Sequence, residues 1–448
     1  MSDRLDRDDE RFALGLLING VPRNWATTFG DDDDPFRVDR YARIARSVEA
    51  AGFDLIFLAD GVATSDRVAR GGLEPLTLLS ALAVLTERIG LVASVSTSFT
   101  EPFNLARQIA SLDQLSGGRA GWNIVTSSGG GENFGRADLP HDERYRKGAE
   151  AAEVVLRLWR SWGEEAIVRD RATRRFFDDD QVRAIDFAGE FFSVRGPLNV
   201  PRSPQGIPLL AQAGSSEAGQ EVGARYADLI FTTGLPSVEE SIAFADRVKA
   251  RAAAHGRARE SVRVLPGVSP VIGSTEEEAR RIWEDSVRDL DVWRDAEGFA
   301  KQFSIDIAQL ELDAPLPREA LPREEDVEGR RSRYGVLLGL IESGRIVTLR
   351  DLVRYTSTAA GHWFPIGAPE QIASQFLDRY RRGAADGFNV LGFFDEVPGG
   401  LEALTDGLVP ALRANGLLRE RPASGPGLRG SLGLPDRSEP RIEAPVAA

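Results

Sequence analysis

The sequence contains no cysteine. Disulfides, thiolate catalysis, cysteine-ligated zinc and iron–sulfur clusters are therefore excluded. Histidine is nearly as scarce: only His141, His255 and His362 occur. A three-histidine metal site would need all of them to converge, so no metal is expected. Positive charge is outweighed, with a formal net charge of −14 over 448 residues. That argues against a nucleic-acid-binding face, which needs clustered positive charge. It does not exclude an anionic ligand, because backbone amides bind phosphate locally inside an acidic protein. No apolar run approaches the roughly 18 residues needed to cross a bilayer. The stretch from Met1 to Arg11 is acidic and polar, with no apolar signal region. The expectation is a cytoplasmic protein.

What is present is a repeated alternation of short β-rich runs and helical patterns. Strands are expected at 12–18, 54–58, 89–94, 119–125, 207–211, 229–231, 262–268 and 388–393. Helices are expected at 36–51, 75–87, 102–116 and 142–162, near Ser215, Val238, Thr275 and Pro369, and at 400–413. Short apolar strands suit a sheet buried on both faces, and the alternation implies parallel strands. Eight such units without an early Gly-x-Gly-x-x-Gly fingerprint favour a closed (β/α)8 TIM barrel over a doubly wound open sheet. Two stretches break the rhythm, 163–206 after strand 4 and 291–363 after strand 7. Both read as insertions near the rim, the first holding a hairpin-like piece at 185–194. Residues 1–421 are thus expected to form one barrel domain. Residues 422–448, rich in Pro, Gly, Ser and Arg, are expected to be an extended or disordered tail.

Function in a barrel sits on the loops that follow the strands. Asp60 follows strand 2 and could contact a ligand or satisfy nearby amides. Ser96 and Thr97 follow strand 3, where a cofactor contact competes with a plain Ser/Thr turn. Asn123 places an amide inside strand 4, which is costly unless paired, either with a ligand or with a neighbouring strand. His141 and Tyr145 stand four apart at a helix start, hence on one face. Gly214, Ser215 and Ser216 open another helix, where free N–H groups suit a terminal phosphate; simple N-capping is the other reading. His255, beside Gly256, reads as a surface or capping residue. His362 could face the pocket or be structural. Trp25, Trp122 and Trp363 could form an apolar substrate wall or belong to the core.

Together these segments resemble the nitrilotriacetate monooxygenase component A and dibenzothiophene-sulfone monooxygenase family, within the bacterial luciferase-like flavin monooxygenases. The resemblance runs from about Leu14 to Leu434. It rests on 57–61, 121–127 (GWNIVTS), Asn133-Phe134-Gly135, 141–145 (HDERY), 191–206 (FFSVRGPLNVPRSPQG), 211–219 and 367–373. Any one of these is weak; their succession is specific.

The resemblance implies FMN held at the C-terminal mouth of a TIM barrel. FMNH2 would come from a separate NAD(P)H:flavin reductase. One atom of O2 would pass to a small organic substrate through a flavin C4a-(hydro)peroxide. A homodimer or tetramer is implied as well. Matched by motif, Asp60 and Asn123 would lie near the isoalloxazine and ribityl region, with Ser96 or Thr97 adding polar contacts. His141 and Tyr145 would bind the ribityl-phosphate side, and Gly214, Ser215 and Ser216 the phosphate. His141 and His362 are the candidate proton-transfer groups. One departure concerns the loop after strand 1, Asn19-Gly20-Val21-Pro22-Arg23-Asn24-Trp25, which lacks the histidines that relatives often carry there. A histidine base in that loop is ruled out. Three rival readings are a deazaflavin-dependent oxidoreductase of the same fold, a non-catalytic flavin-binding protein and a barrel glycosidase. The last needs two flanking carboxylic acids, and no such pair is visible.

Overall fold

The structure is a computed structural model. It describes residues 11–21, 28, 34–63, 72–214, 216–303, 305–307, 310–323, 326–327, 331–359, 361–418, 427–435 and 437. Eight parallel strands close into a barrel: β1 (Ala13–Ile18), β2 (Leu55–Leu58), β3 (Gly90–Ser96), β4 (Ala120–Val125), β5 (Leu209–Ala213), β6 (Leu229–Thr232), β7 (Arg263–Val268) and β8 (Gly387–Val390). Each pairs with its sequence neighbours, and β8 pairs with β1. Strand β5 starts two residues later than the sequence suggests. Pro208 precedes it and has no N–H to give a ladder.

The helical layer begins with α1 (Val38–Ala51), α2 (Pro75–Ala83), α3 (Pro102–Ser116) and α4 (His141–Trp159). It continues with α5 (Glu217–Tyr226), α6 (Val238–Ala254) and α7 (Glu276–Ser286). Proline at the first helical position starts α2 and α3, where its missing N–H costs nothing. Gly52, at φ 102°, closes α1 in the left-handed conformation that other residues resist.

The base of the barrel carries a repeated device. Asp54, Asp228 and Asp386 each stand just before an even-numbered strand. Their Oδ2 atoms accept the backbone N–H of Leu14, Leu210 and Val264 at 2.7, 3.0 and 2.8 Å. Each pins the start of the preceding strand. At the same position before β4 stands Arg119, whose guanidinium donates to Ser116 O, Thr86 Oγ1, Ile89 O, Ala83 O and Thr86 O. Buried polar groups are tolerable when saturated in this way.

The 163–206 insertion holds the expected hairpin, as Phe187–Ala188 paired with Ser193–Val194, and a second one, Ile167–Asp170 with Arg175–Phe177. The longer insertion contains α8 (Val292–Phe303), α9 (Arg331–Glu342) and α10 (Leu349–Ala359). These pack a small core of their own around Tyr334, Leu337, Leu349, Leu352 and Val353. The chain returns beside β7, where Val268 bridges to Trp363 and Val271–Ile272 pairs with Ile366–Gly367. Helices α11 (Pro369–Arg381) and α12 (Val409–Ala414) complete the layer.

One expectation needs correction. Within the supposed extended tail, Gly427–Ser431 forms a short helix, α13. Leu428, Leu432 and Leu434 join Leu55, Val92 and Leu209 in the cluster that fills the barrel base. Three leucines among polar and small residues suffice to bury this segment. The average composition of the tail hides them.

Candidate functional site

Alternation along the strands fixes which side chains face the barrel interior. In register, Ser94 lies beside Asn123, and Gly15 beside Asn389, which in turn lies beside Gly267. Asn123 is buried and donates from Nδ2 to Ser94 Oγ at 2.9 Å; its Oδ1 has no partner. The neighbouring strand supplies one partner and leaves one acceptor open. Asn389 is equally buried, with Oδ1 also unpartnered. A side chain at position 15 would meet that oxygen at 2.8 Å, so glycine there makes room for the amide. Reasoning from sequence missed Asn389, although the argument applied to Asn123 fits it as well. Ser127, just past β4, donates to Ser96 Oγ at 2.8 Å.

The hydroxyls after β3 divide. Ser96 Oγ accepts from Ser127 and from Ser98 N at 3.2 Å. Thr97 is 1% exposed and donates to Val125 O at 3.0 Å, and α4 packs over it at Gly148. Its hydroxyl is spent inside the barrel wall, which is the Ser/Thr-turn reading. Asp60 is exposed and accepts from Gly61 N at 2.9 Å. Desolvation by its surroundings raises its pKa, opposed by the Gly61 amide and aided by Glu74.

Two distant segments meet at the ends of β4 and β5. The ring centroids of His141 and Tyr145 are 4.8 Å apart on the first turn of α4. Ser216 Oγ donates to Tyr145 OH at 3.3 Å and accepts from Gly219 N at 3.2 Å, capping α5. The capping reading of that serine is thus met. A Cβ at Gly214 would stand 2.5 Å from Gln212 Nε2 and 3.3 Å from Gly219 Cα, so only glycine lets the first turn of α5 come this close. The N–H groups of Glu217 and Ala218 open that turn with no partner among the described residues. Free first-turn amides beside a hydroxyl and a phenol form a corner suited to a phosphate. His141 is partly exposed, with Nδ1 2.8 Å from Asp142 Oδ1. Ser215 lies outside the described residues, as does Trp25.

His362 is buried and stacks on Phe231 at 5.6 Å between centroids. Gly234 N donates to its Nδ1 at 3.3 Å, and Arg333 Nη2 stands 3.4 Å from Nε2. A backbone N–H aimed at Nδ1 demands an acceptor there, which a neutral ring supplies and an imidazolium does not. A Cβ at Gly267 would collide with this nitrogen. Donors therefore stand at both ring nitrogens. His255 caps α6, with Nε2 2.5 Å from Glu221 Oε1, as its place beside Gly256 suggests. Trp122 is a core residue, and Trp363 is partly buried against that core. Trp122 donates to Val95 O at 3.1 Å and packs edge-on to Trp159. Trp363 packs against Phe376 and Phe388 under Arg379.

Fold and site together describe a (β/α)8 barrel whose α5 opens on free amides beside a hydroxyl and a phenol, with open amide acceptors in the barrel interior. The sequence profile of the luciferase-like monooxygenases matches residues 14–339. Nitrilotriacetate monooxygenase component A of Aminobacter aminovorans is 38% identical over 95% of this chain and 97% of its own. N-acetyl-S-(2-succino)cysteine monooxygenase of Bacillus subtilis is 37% identical, with the same two shares. A crystal structure of riboflavin lyase with modified FMN and riboflavin superposes with a TM-score of 0.81 at 27% identity, covering 95% of this chain and 96% of that one. The chain belongs to the luciferase-like family and is a flavin-dependent monooxygenase.

Proposed function

We propose that the protein binds FMNH2, made by a separate NAD(P)H:flavin reductase, at the mouth of the barrel and transfers one oxygen atom of O2 to a small organic substrate. The observation that carries this is the contact between Tyr145 and Ser216 at the opening of α5. It joins a phenol, a hydroxyl and two free amides in one corner. When bound, the reduced flavin supplies the electrons and the site of oxygen activation; such chemistry belongs to the cofactor. The chain's part is to bind, orient and exclude water. Gly214, Ser216 and Tyr145 hold the phosphate, with Ser215 between them in sequence. His141 flanks the ribityl side. The open Oδ1 atoms of Asn123 and Asn389 accept hydrogen bonds from N–H or O–H groups deeper in the mouth. His362 shapes the floor of the pocket as a neutral ring.

The test is Ser216→Asp. Aspartate caps helices as well as serine does, so folded stability should stay within about 1 kcal/mol. The added negative charge should weaken binding of reduced FMN at least tenfold. Unchanged affinity would remove the phosphate corner from the proposal. Turnover is tested with FMN, NADH and a flavin reductase, scoring candidate substrates for a mass gain of one oxygen atom. Carboxylated amines and thioethers come first in that screen, as the chemistry named in two relatives.

A further inference from the structure

Six arginines are buried in the described structure: Arg40, Arg119, Arg144, Arg263, Arg379 and Arg429. Five have side-chain partners. Arg40 pairs with Asp395 and Arg429 with Asp228. Arg119, Arg263 and Arg379 donate to backbone carbonyls. Arg144 is the exception. It is 6% exposed, its Nε is buried without a partner, and its guanidinium makes no hydrogen bond or ion pair among the described residues. The chain has 69 acidic residues to draw on. The Tyr145 phenol and Asp138 act on Arg144 without pairing with it, and Asp138 Oδ1 accepts from Gly131 N at 3.2 Å. A buried cation without a counter-charge is costly, and such a cost is retained where a ligand relieves it.

Its place in the fold says which ligand. Arg144 lies in the first turn of α4, next to Tyr145, whose hydroxyl touches the cap of α5. One turn further on, at i+4 and so on the same face, Gly148 packs against Thr126 and Thr97 at the ends of β4 and β3. The guanidinium therefore stands on the barrel-facing side of α4, at the mouth, beside the corner described above. The free amides and hydroxyls of that corner are neutral and cannot balance a phosphate dianion.

We propose that Arg144 supplies the counter-charge for the flavin phosphate and so accounts for most of the site's preference for FMN over riboflavin. The inference rests on the proposed function. A guanidinium matches phosphate oxygens through two parallel N–H donors, and such charge-assisted pairs are the strong ones.

The experiment compares binding of FMN and riboflavin, both reduced and kept anaerobic, to the wild type, Arg144→Met and Arg144→Lys. Wild type should prefer FMN by ten- to hundredfold, the range given by a hydrogen bond to a charged group. Arg144→Met should lose most of that preference, with riboflavin affinity unchanged, and Arg144→Lys should keep more of it. Without flavin, Arg144→Met should unfold at the same or a higher urea concentration, since an apolar side chain replaces an unpaired buried charge. A full FMN preference in Arg144→Met, or a loss of flavin-free stability, overturns the assignment of Arg144 alone. A wild type that binds both flavins equally overturns the phosphate corner itself.

Discussion

Arg429 reaches from α13 into the base of the barrel and donates from Nη1 to Asp228 Oδ2 at 2.6 Å. Arg437 reaches Oδ1 of the same carboxylate at 3.1 Å, and Arg257 stands 3.7 Å away. Burial alone would raise the pKa of Asp228. The three guanidiniums hold it down at about 2. The C-terminal segment is thus fastened by charge as well as by its leucines. Asp228→Asn would leave these arginines facing a neutral amide and weaken the bond to Leu210 N. The expected cost is about 3–5 kcal/mol, as for other broken buried pairs. Truncation after Leu418 should destabilise the barrel by a similar order, because it removes two guanidiniums and uncovers the apolar base. Urea unfolding of both variants checks this. A truncated chain as stable as the full one would mean the segment is a passive cover.

A second prediction concerns pH. Asp113 is fully buried, and burial pushes its pKa up to about 6 despite bonds from Ala120 N and Gln205 Nε2 at 2.9 and 2.6 Å. Its value in an unfolded chain is about 3.9. Between those values the native state keeps a proton that the unfolded state releases. Stability therefore falls as pH rises from about 4 to about 6, by on the order of 2 kcal/mol from this group. Asp395, also raised to about 6 by burial against the pull of Arg40, adds in the same direction. Asp228 acts oppositely: its contribution is present above about pH 4 and is lost as pH falls towards 2. Urea unfolding across pH 3–7 should thus show maximal stability near pH 4–5. Asp113→Asn, which keeps an acceptor for Ala120 N, should flatten the limb above pH 4. An unaltered slope in that variant would shift its origin away from Asp113.

The barrel itself was legible in the sequence because its strands are short apolar runs set between strongly periodic helices. Seven strand starts fall within one residue of expectation; β5 was displaced by Pro208. The repeated Asp54, Asp228 and Asp386 went unseen. Each is one acidic residue ahead of an apolar run, and its role depends on a strand up to 122 residues away. The tail was misread because composition averages over the leucines that decide its fate. At the site, Gly214, Ser216, Tyr145 and His141 could be picked out because each follows a strand or opens a helix. Thr97 follows the same rule yet turns into the wall, since strand parity decides which hydroxyl faces inward. Parity also separates Asn123 from its neighbour Trp122, which points out towards α4. Asn389 and Arg144 were the hardest to see. Their significance is a partner they lack, and that becomes visible only once every neighbour has been placed.

The last prediction follows from Asn389. Its Oδ1 is buried in the barrel interior with no donor among the described residues. An unsatisfied buried acceptor costs about 1–3 kcal/mol, whereas an apolar group of the same shape avoids that cost. Leucine branches at the same atom as asparagine and has nearly its size. Asn389→Leu should therefore fold at least as stably as wild type, with a gain of up to about 2 kcal/mol. Function should move the other way. If the open oxygen serves the bound flavin or substrate, turnover with the flavin reductase should drop at least tenfold. Asn123→Leu makes an instructive contrast, because it also strips Ser94 Oγ of its bonded amide and should lose both stability and turnover. Stability rising while activity falls at position 389 is the pattern of a residue retained for chemistry at the expense of packing. Urea unfolding and oxygen-transfer assays on the same preparations decide it. A less stable Asn389→Leu with undiminished turnover would assign the amide to the architecture of the barrel instead.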